Sequence, residues 1–247
     1  MKFVTLDEVD STNAEAKRLA EAGERGPLWI KAHRQTSGRG RRGREWVSVK
    51  GNLYCSGLHS HAGAIQDAAK MSFAAALAVA ETLKHYIPEA KIDLKWPNDV
   101  LVEGKKISGI LLEGGPDWFV VGIGMNLTSH PHDTEHVATH LLEHINPSLL
   151  EGAEPVMTGT DAVLAILSSR FNFWRDVFLE KGFVPIREAW LGWATNIPGP
   201  VTVRLSNETF SGQAVDLDEN GALRVSLENG TIRTVHAGDV FFGTQGA

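Results

Sequence analysis

Gly38-Arg39-Gly40-Arg41-Arg42-Gly43-Arg44, followed by Glu45 and Trp46, packs four guanidiniums into seven residues with no apolar side chain among them. Such a stretch has no face to bury, so it reads as a loop rather than a helix or strand. Its glycines permit positive φ and close approach of the backbone to a partner. Four guanidiniums on one loop repel each other unless an anion joins them, and their planar, bidentate geometry suits phosphate or carboxylate. Trp46 offers a flat face to an adenine or another base. Taken alone, the loop is also open to two plainer readings, a solvated loop or a nucleic-acid contact.

The surrounding charge narrows those readings. Residues 31–50 hold seven basic groups and one acid, Glu45, a local balance of +6. The 247-residue chain carries 24 basic and 30 acidic side chains, −6 in all, so the rest of the chain sums to −12. That balance argues against a protein that coats polyanions and for one site that takes a small, dense anion. The length suggests one large domain, or a large one with a small one. An apolar content of 43% with 22% charged residues is ordinary for a folded protein. No apolar run reaches the ~18 residues of a membrane span. Met1 to Asp7 lack the apolar core of a signal peptide, and a lone Cys55 permits no internal disulfide. The expectation is a soluble, cytoplasmic protein that does not engage a membrane.

Outward from the loop, Thr12-Asn13-Ala14-Glu15 fits a capping box opening a helix that runs to about Gly23. Leu28 to Ala32 and Asn52 to Leu58 are strand candidates, and Ala68 to Tyr86 is helical in pattern, with Pro88 after its end. Four short strands follow, at 92–96, 100–102, 107–112 and 118–123. A long helix from about Asp161 to Lys181 places Val163, Leu164, Leu167, Phe171, Trp174 and Phe178 at helical spacing, and Gly182 stops it. Composition shifts near Ile197-Pro198-Gly199-Pro200. Beyond it come five short strands, at 201–205, 209–216, 222–227, 231–235 and 239–242, with turn signals at Asn220-Gly221 and Asn229-Gly230. This suggests a small SH3-like barrel that packs on the larger unit, and a division into residues 1–197 and 198–247.

Four more stretches carry chemistry. In Lys95-Trp96-Pro97-Asn98-Asp99 the proline restricts Trp96 and ends a strand, leaving Lys, Asn and Asp at its tip. The plainer reading is an Asn-Asp turn with Lys95 and Asp99 paired at the surface. Lys106 precedes the buried-looking run Ile107 to Leu112, either as a solvated strand end or as a point charge aimed into a cleft. Gly122-Ile123-Gly124-Met125-Asn126 admits close approach of a ligand, but it is not the three-glycine dinucleotide fingerprint. Ser11-Thr12-Asn13 reads first as a helix cap that leaves one hydroxyl over. His136, His140 and His144 fall four residues apart, and a surface helix is preferred to a zinc site there. Cys55 has no His or Cys beside it and reads as an inert strand residue. No Gly-x-Ser-x-Gly elbow supports a hydrolase.

In order and spacing, Ser11-Thr12-Asn13, Gln35 with the Arg/Gly loop, Gly51-Asn52-Leu53-Tyr54, Lys95 to Val100, Lys106 with Ser108 to Leu111, and Gly122 to Asn126 resemble biotin–protein ligases. The motifs cover about residues 1–127, and the small C-terminal barrel is also a feature of that family. The resemblance implies an α+β fold with a mixed, largely antiparallel sheet and flanking helices, akin to class II tRNA synthetases. It implies that biotin and ATP, with Mg²⁺, form biotinoyl-5′-AMP and pyrophosphate, and that a lysine of a biotin carboxyl carrier domain then takes the biotin. With the Ser-Thr-Asn motif beginning at residue 11, the type expected is the one without a DNA-binding domain. A homodimer joined through sheet edges is compatible with the family.

Carried over by motif, Arg41, Lys106 and Asp99 are the expected catalytic residues. Arg41 and Lys106 would meet the biotin carboxylate and the α-phosphate. Asp99, or Asn98, would orient the acceptor amine. Ser11, Thr12, Asn13 and Gln35, with backbone near Gly38 and Arg39, would face the ureido group, and Gly109 and Gly124 would line the slot. Arg39, Arg44, Trp46, Lys95, Asn98 and Asn126 would serve the nucleotide, with Trp46 near adenine. No dedicated metal ligands are expected, because Mg²⁺ arrives with ATP and keeps several waters. The +6 loop is expected to be mobile until it closes over biotin or the adenylate. Two alternatives are a lipoate–protein ligase and a nucleic-acid-binding module built on the Arg/Gly loop.

Overall fold

A computed structural model describes residues 1–61, 65–131, 137–146 and 159–242. The chain opens with strand β1 (Lys2–Val9), helix α1 (Thr12–Glu21) and strand β2 (Leu28–Gln35). After the Arg/Gly loop come β3 (Leu53–Ser60) and the helices α2 (Ile65–Ala69) and α3 (Met71–Tyr86). A meander follows, with β4 (Ile92–Lys95), β5 (Asp99–Val102), β6 (Lys105–Gly114) and β7 (Trp118–Met125). Helices α4 (Thr160–Lys181) and α5 (Val184–Gly192) lead to β8 (Gly199–Arg204), β9 (Thr209–Leu217), β10 (Leu223–Ser226), β11 (Ile232–Val235) and β12 (Asp239–Phe242).

The first seven strands form one sheet in the order β1-β2-β3-β7-β6-β5-β4. Only the β1–β2 pair is parallel; the rest is antiparallel. The alternation of side chains sorts the core into two layers. Trp29, Cys55, Phe119, Val121 and Ile123 point to one face, where they meet α3 and α4. Leu28, Ile30, Leu58, Trp118 and Val120 point to the other, under Ala16 and Ala20 of α1. Helix α3 is apolar nearly all round and is buried accordingly, between the sheet, α4 and α5. Gly182, at φ +73°, ends α4 as the sequence predicts.

The five C-terminal strands form a second antiparallel sheet in the order β11-β10-β9-β8-β12. At the β9–β10 turn, Asp218 Oδ1 accepts from the amides of Asn220 and Ala222, and Gly221 takes φ +83°. This turn also docks the small sheet on the large one. Trp96 Nε1 donates to the Gly221 carbonyl at 3.0 Å, and Arg187 Nε donates to the Leu217 carbonyl at 2.7 Å. Val201, Val203, Leu217 and Leu223 join the same apolar cluster as α3. The buried surface that a unit of this size lacks is supplied by its neighbour.

Several sequence expectations are corrected. The first strand was not anticipated: β1 is an edge strand with one face largely exposed and only Val4 and Leu6 half-buried on the other, so its apolar alternation is weak. Helix α5 also escapes the pattern, and the helix expected from Ala68 to Tyr86 is two helices meeting at Lys70. The capping box does not form. The N-cap of α1 is Ser11, its side chain makes no capping bond, and Glu15 pairs with Arg18 instead. The helix expected through His140 and His144 is also absent: residues 137–146 hold one 3-10 turn, Leu141–Glu143, and a bridge from Ala138 to Lys106. His136 lies outside the described residues.

Candidate active site

The site grows from one row of residues across the sheet. Ala32, Tyr54, Gly124, Gly109, Asp99 and Lys95 are partners in register from β2 to β4. On the α1 face of β7, Trp118 and Val120 support the helix, and Gly122 and Gly124 then replace bulk with space. A Cβ on Gly122 would lie 2.1 Å from Asn13 Oδ1, and one on Gly124 would lie 2.4 Å from Trp46 Cε2. Gly109 is equally constrained, with Trp46 Cζ3 at 2.8 Å. The indole of Trp46 therefore rests on a floor of two glycines, and any side chain there would expel it.

One irregularity decides where Lys106 points. The β5–β6 register runs Val100↔Ser108 and then Leu101↔Lys106, so Ile107 is an extra residue in β6. In a regular strand Lys106 and Gly109, three apart, would face opposite sides. The bulge restores them to one face, and Lys106 Cε comes within 3.5 Å of the Gly109 Cβ position. The ammonium lies 2.7 Å from Asp99 Oδ1 and 5.6 Å from the centre of the Trp46 ring. Asp99 thus pairs with Lys106, not with Lys95 as the plainer sequence reading had it. Lys95 lies over the Phe241 ring of β12, 5.8 Å from its centre.

At the other end of the row, the start of α1 forms a polar cluster. Gln35 Oε1 accepts from Thr12 N at 2.9 Å and Thr12 Oγ1 at 3.1 Å, and Gln35 Nε2 donates to Ser48 Oγ. Asn13 Nδ2 donates to Glu113 Oε2 and the Leu111 carbonyl, which turns its Oδ1 toward the Ser56 hydroxyl at 2.6 Å. Ser11, Thr12 and Asn13 are all buried, and the network fixes Thr12, Asn13 and Gln35 before any ligand arrives.

The Arg/Gly loop closes over this floor. Gly40 N donates to the Arg44 carbonyl and Trp46 N to the Gly38 carbonyl, folding the loop into a tight hairpin. Arg42, at φ +56°, and Gly43, at +74°, make its turn. The predicted mutual repulsion of the arginines is offset by carboxylates from distant parts of the chain. Arg39 pairs with Glu113 at 3.1 Å, and Asp239 of β12 accepts from Arg42 at 3.2 Å and from Arg44 at 2.7 Å. Arg41 points inward, with Nη1 3.4 Å from Asn98 Oδ1. Burial, and Arg42 beside it, push the Arg41 pKa down from the usual guanidinium value, yet a guanidinium keeps its charge at any pH at which the protein is folded. Asn98 is itself locked, its Nδ2 donating to the Ile110 carbonyl at 2.7 Å.

These residues surround one cavity of about 140 Å³. Of the residues expected from the family resemblance to act in catalysis or to meet biotin or the nucleotide, all but Gly38 and Asn126 line it. Gly38 lies behind the loop, where a Cβ would strike the Trp46 carbonyl. Asn126 is buried below the floor, donating to the Thr139 carbonyl. Sequence reasoning missed Ser56, Glu113 and Asp239. Glu113 directly follows the run Ile107 to Leu112, whereas nothing local to β12 marks Asp239. Cys55 lies in the wall, and burial pushes its thiol pKa up, in keeping with an inert strand residue.

Comparison with known proteins agrees with this arrangement. A model of the biotin/lipoate A/B protein ligase family matches residues 6–127, and one of the biotin protein ligase C-terminal domain matches residues 200–243. The biotin–[acetyl-CoA-carboxylase] ligase of Paracoccus denitrificans is 37% identical over 246 residues, covering 96% of this chain and 99% of that protein. The ligase of the same description from Mycobacterium tuberculosis is 32% identical, covering 93% and 85%. Among solved structures, the biotin protein ligase of Aquifex aeolicus in complex with biotin and ATP superposes with a TM-score of 0.79 at 30% identity, covering 98% of both chains. With the Arg/Gly loop, the glycine floor and the Lys106–Asp99 pair in one cavity, and with relatives matched end to end, the chain belongs to the biotin protein ligase family.

Proposed function

We propose that this chain joins biotin to ATP, forming biotinoyl-5′-AMP and pyrophosphate, and then passes the biotin to one lysine of a carboxyl carrier domain. One observation carries the reading: Arg41, Lys106, Thr12, Gln35 and Trp46 surround a single cavity floored by Gly109 and Gly124. A carboxylate must approach an α-phosphate in the first step, so like charges are pressed together. The carboxylate oxygen forms a bond to phosphorus as the bond to pyrophosphate breaks. Arg41 and Lys106 neutralise the charge that gathers there, and one such contact is worth about 3–4 kcal/mol. Arg39 and Arg44 support the loop and the nucleotide phosphates.

Biotin's ureido group needs partners for two N–H groups and one carbonyl, since each left unpaired on burial costs about 1–3 kcal/mol. Ser11, Thr12, Asn13, Gln35 and backbone near Arg39 would supply them. The cavity is smaller than the roughly 300–1,000 Å³ of typical small-molecule sites. In this reading the loop moves outward with Trp46 to admit the ligands, then closes and keeps water from the mixed anhydride. Mg²⁺ would enter on the triphosphate, because Asp99, Asp239 and Glu113 are each already paired with a cation of the chain. In the second step the acceptor lysine, with an ordinary pKa of ~10.4, must lose a proton before it attacks the acyl carbon and releases AMP. Asp99 would orient that amine.

The match of residues 200–243 to the C-terminal domain of biotin protein ligases favours biotin over lipoate. Isothermal titration of biotin and of lipoate, each with and without ATP and Mg²⁺, tests the proposal. Biotin should bind and release pyrophosphate once ATP is added, and lipoate should do neither. Tighter binding of lipoate, or strong and salt-steep binding of nucleic acid in its place, would overturn it.

A further inference from the structure

Behind the site, two segments converge on a cluster that the proposed reaction does not use. Asn52 organises the first: its Oδ1 accepts from the amides of Leu127, Thr128 and Ser129, and its Nδ2 donates to the Ser129 carbonyl. His130 follows directly. The second segment is tied to β6 and β7. Lys106 N donates to the Val137 carbonyl, Thr139 N donates to the Lys106 carbonyl, and Leu141 N donates to the Asn126 carbonyl. His140 and the 3-10 turn that carries Glu143 are held by these bonds.

The two segments bring three ligand-type atoms together. His130 Nδ1 and His140 Nδ1 are 2.9 Å apart, and Glu143 Oε1 lies 3.8 Å from the first and 3.6 Å from the second. Among the described residues this is the one group of three or more His, Cys, Asp or Glu side chains close enough to share a metal ion. A tetrahedral ion with bonds of ~2.0–2.1 Å sets its ligand atoms ~3.3 Å apart, and the three distances bracket that value. Both imidazoles are mostly buried while the Glu143 side chain is 40% exposed, so an ion has a way in.

The surroundings favour a ligating state. The Thr139 hydroxyl, fully buried, donates to Glu143 Oε2 at 2.6 Å and lies 2.8 Å from His144 Nε2. A hydroxyl has one proton, so with that proton on Glu143 it accepts from the His144 N–H. Glu143 is thereby oriented through one oxygen while the other faces the two histidines. Support of this kind around a ligand is what fixes a metal site.

We propose that His130, His140 and Glu143 bind one divalent cation of the zinc class, with water completing the tetrahedron. Its role is structural: the ion staples residues 130 and 140–143 together, and with them the main chain of Lys106. Without an ion the two Nδ1 atoms share a single hydrogen, a weaker tie.

Metal-free protein titrated with Zn²⁺, and with Co²⁺ as a spectroscopic probe, tests this. The expected result is one ion per chain, a tetrahedral Co²⁺ absorption band, and a rise in melting temperature with added Zn²⁺. His130→Gln and His140→Ala should each weaken binding by at least about tenfold and abolish that rise. His85→Ala, on an exposed position of α3, should bind as the parent does. Should the unmodified chain hold no stoichiometric ion, or both site variants bind like it, the proposal is overturned. A variant that fails to fold leaves the decision to Glu143→Gln, judged by the Co²⁺ band.

Discussion

The carboxylate of Asp99 lies 2.7 Å from the ammonium of Lys106, across the β5–β6 pair and beside the Trp46 ring. Each side chain holds the other in place, yet the two are proposed for different steps. Lys106→Gln should slow adenylate formation by about 10²–10³, the range for loss of a preorganised charge contact. Asp99→Ala should leave pyrophosphate release within a few-fold of the parent and slow transfer from preformed adenylate. Single-turnover assays of the two steps separate these effects. Normal transfer in Asp99→Ala would remove Asp99 from the acceptor step.

Arg41 is the loop arginine that turns inward, toward Asn98. As a lid and a phosphate contact it should do two things, and Arg41→Gly should lose both. Adenylate should form more slowly, and what forms should escape or hydrolyse. Free biotinoyl-5′-AMP measured in the filtrate reports the leak. A variant that retains its adenylate as the parent does would end the lid role.

Asp239 tests whether the small C-terminal sheet positions the loop. Its carboxylate accepts from Arg42 and Arg44 at once, and its side chain is only 20% exposed. Asp239→Asn should increase amide exchange over residues 38–46. Because the arginines are half exposed, the loss in ligand affinity should be small, about two- to fivefold. Unchanged exchange in the loop would mean that its own hairpin bonds suffice.

His59 makes a prediction about acid stability. Its ring is buried between Trp29, Phe119 and Phe171, with no hydrogen bond at either nitrogen, and burial lowers its pKa from 6.5 to about 3. Below pH 6.5 the unfolded chain takes up a proton that the folded chain refuses. Stability therefore falls as pH falls from about 6.5 toward 3, with a limiting slope of about 1.4 kcal/mol per pH unit. His59→Phe should remove that part of the slope. Urea unfolding at pH 7, 6, 5 and 4 measures it; parallel curves for variant and parent would contradict the assignment.

What could be read in advance follows from the range of the forces involved. Glycine and proline punctuation, helical spacing and hairpin signals act within a few residues, and they placed α1, α3, α4 and the C-terminal strands. The cavity residues were named through the family resemblance, which the compact motifs carry. Long-range pairing was not legible. Asp239 and Arg44 are 195 residues apart, and Asn13 and Glu113 are 100 apart. The plainer of two readings paired Lys95 with Asp99 because proximity in sequence favours it, whereas the β5–β6 register gave Asp99 a nearer cation in Lys106.

The extra residue in β6 gives the site a reading frame in space. Lys106 can share a face with Gly109 in two ways, at three residues with a bulge between them or at two residues in a regular strand. Deleting Ile107 would alter none of the side chains proposed to touch a ligand and would restore the regular spacing, so the lysine should still meet the glycine floor. Straightening the bulge at its present length would instead turn the lysine to the opposite side of the sheet, where α3 packs. A contact that tolerates the loss of a residue yet not the straightening of a strand is fixed by register rather than by composition.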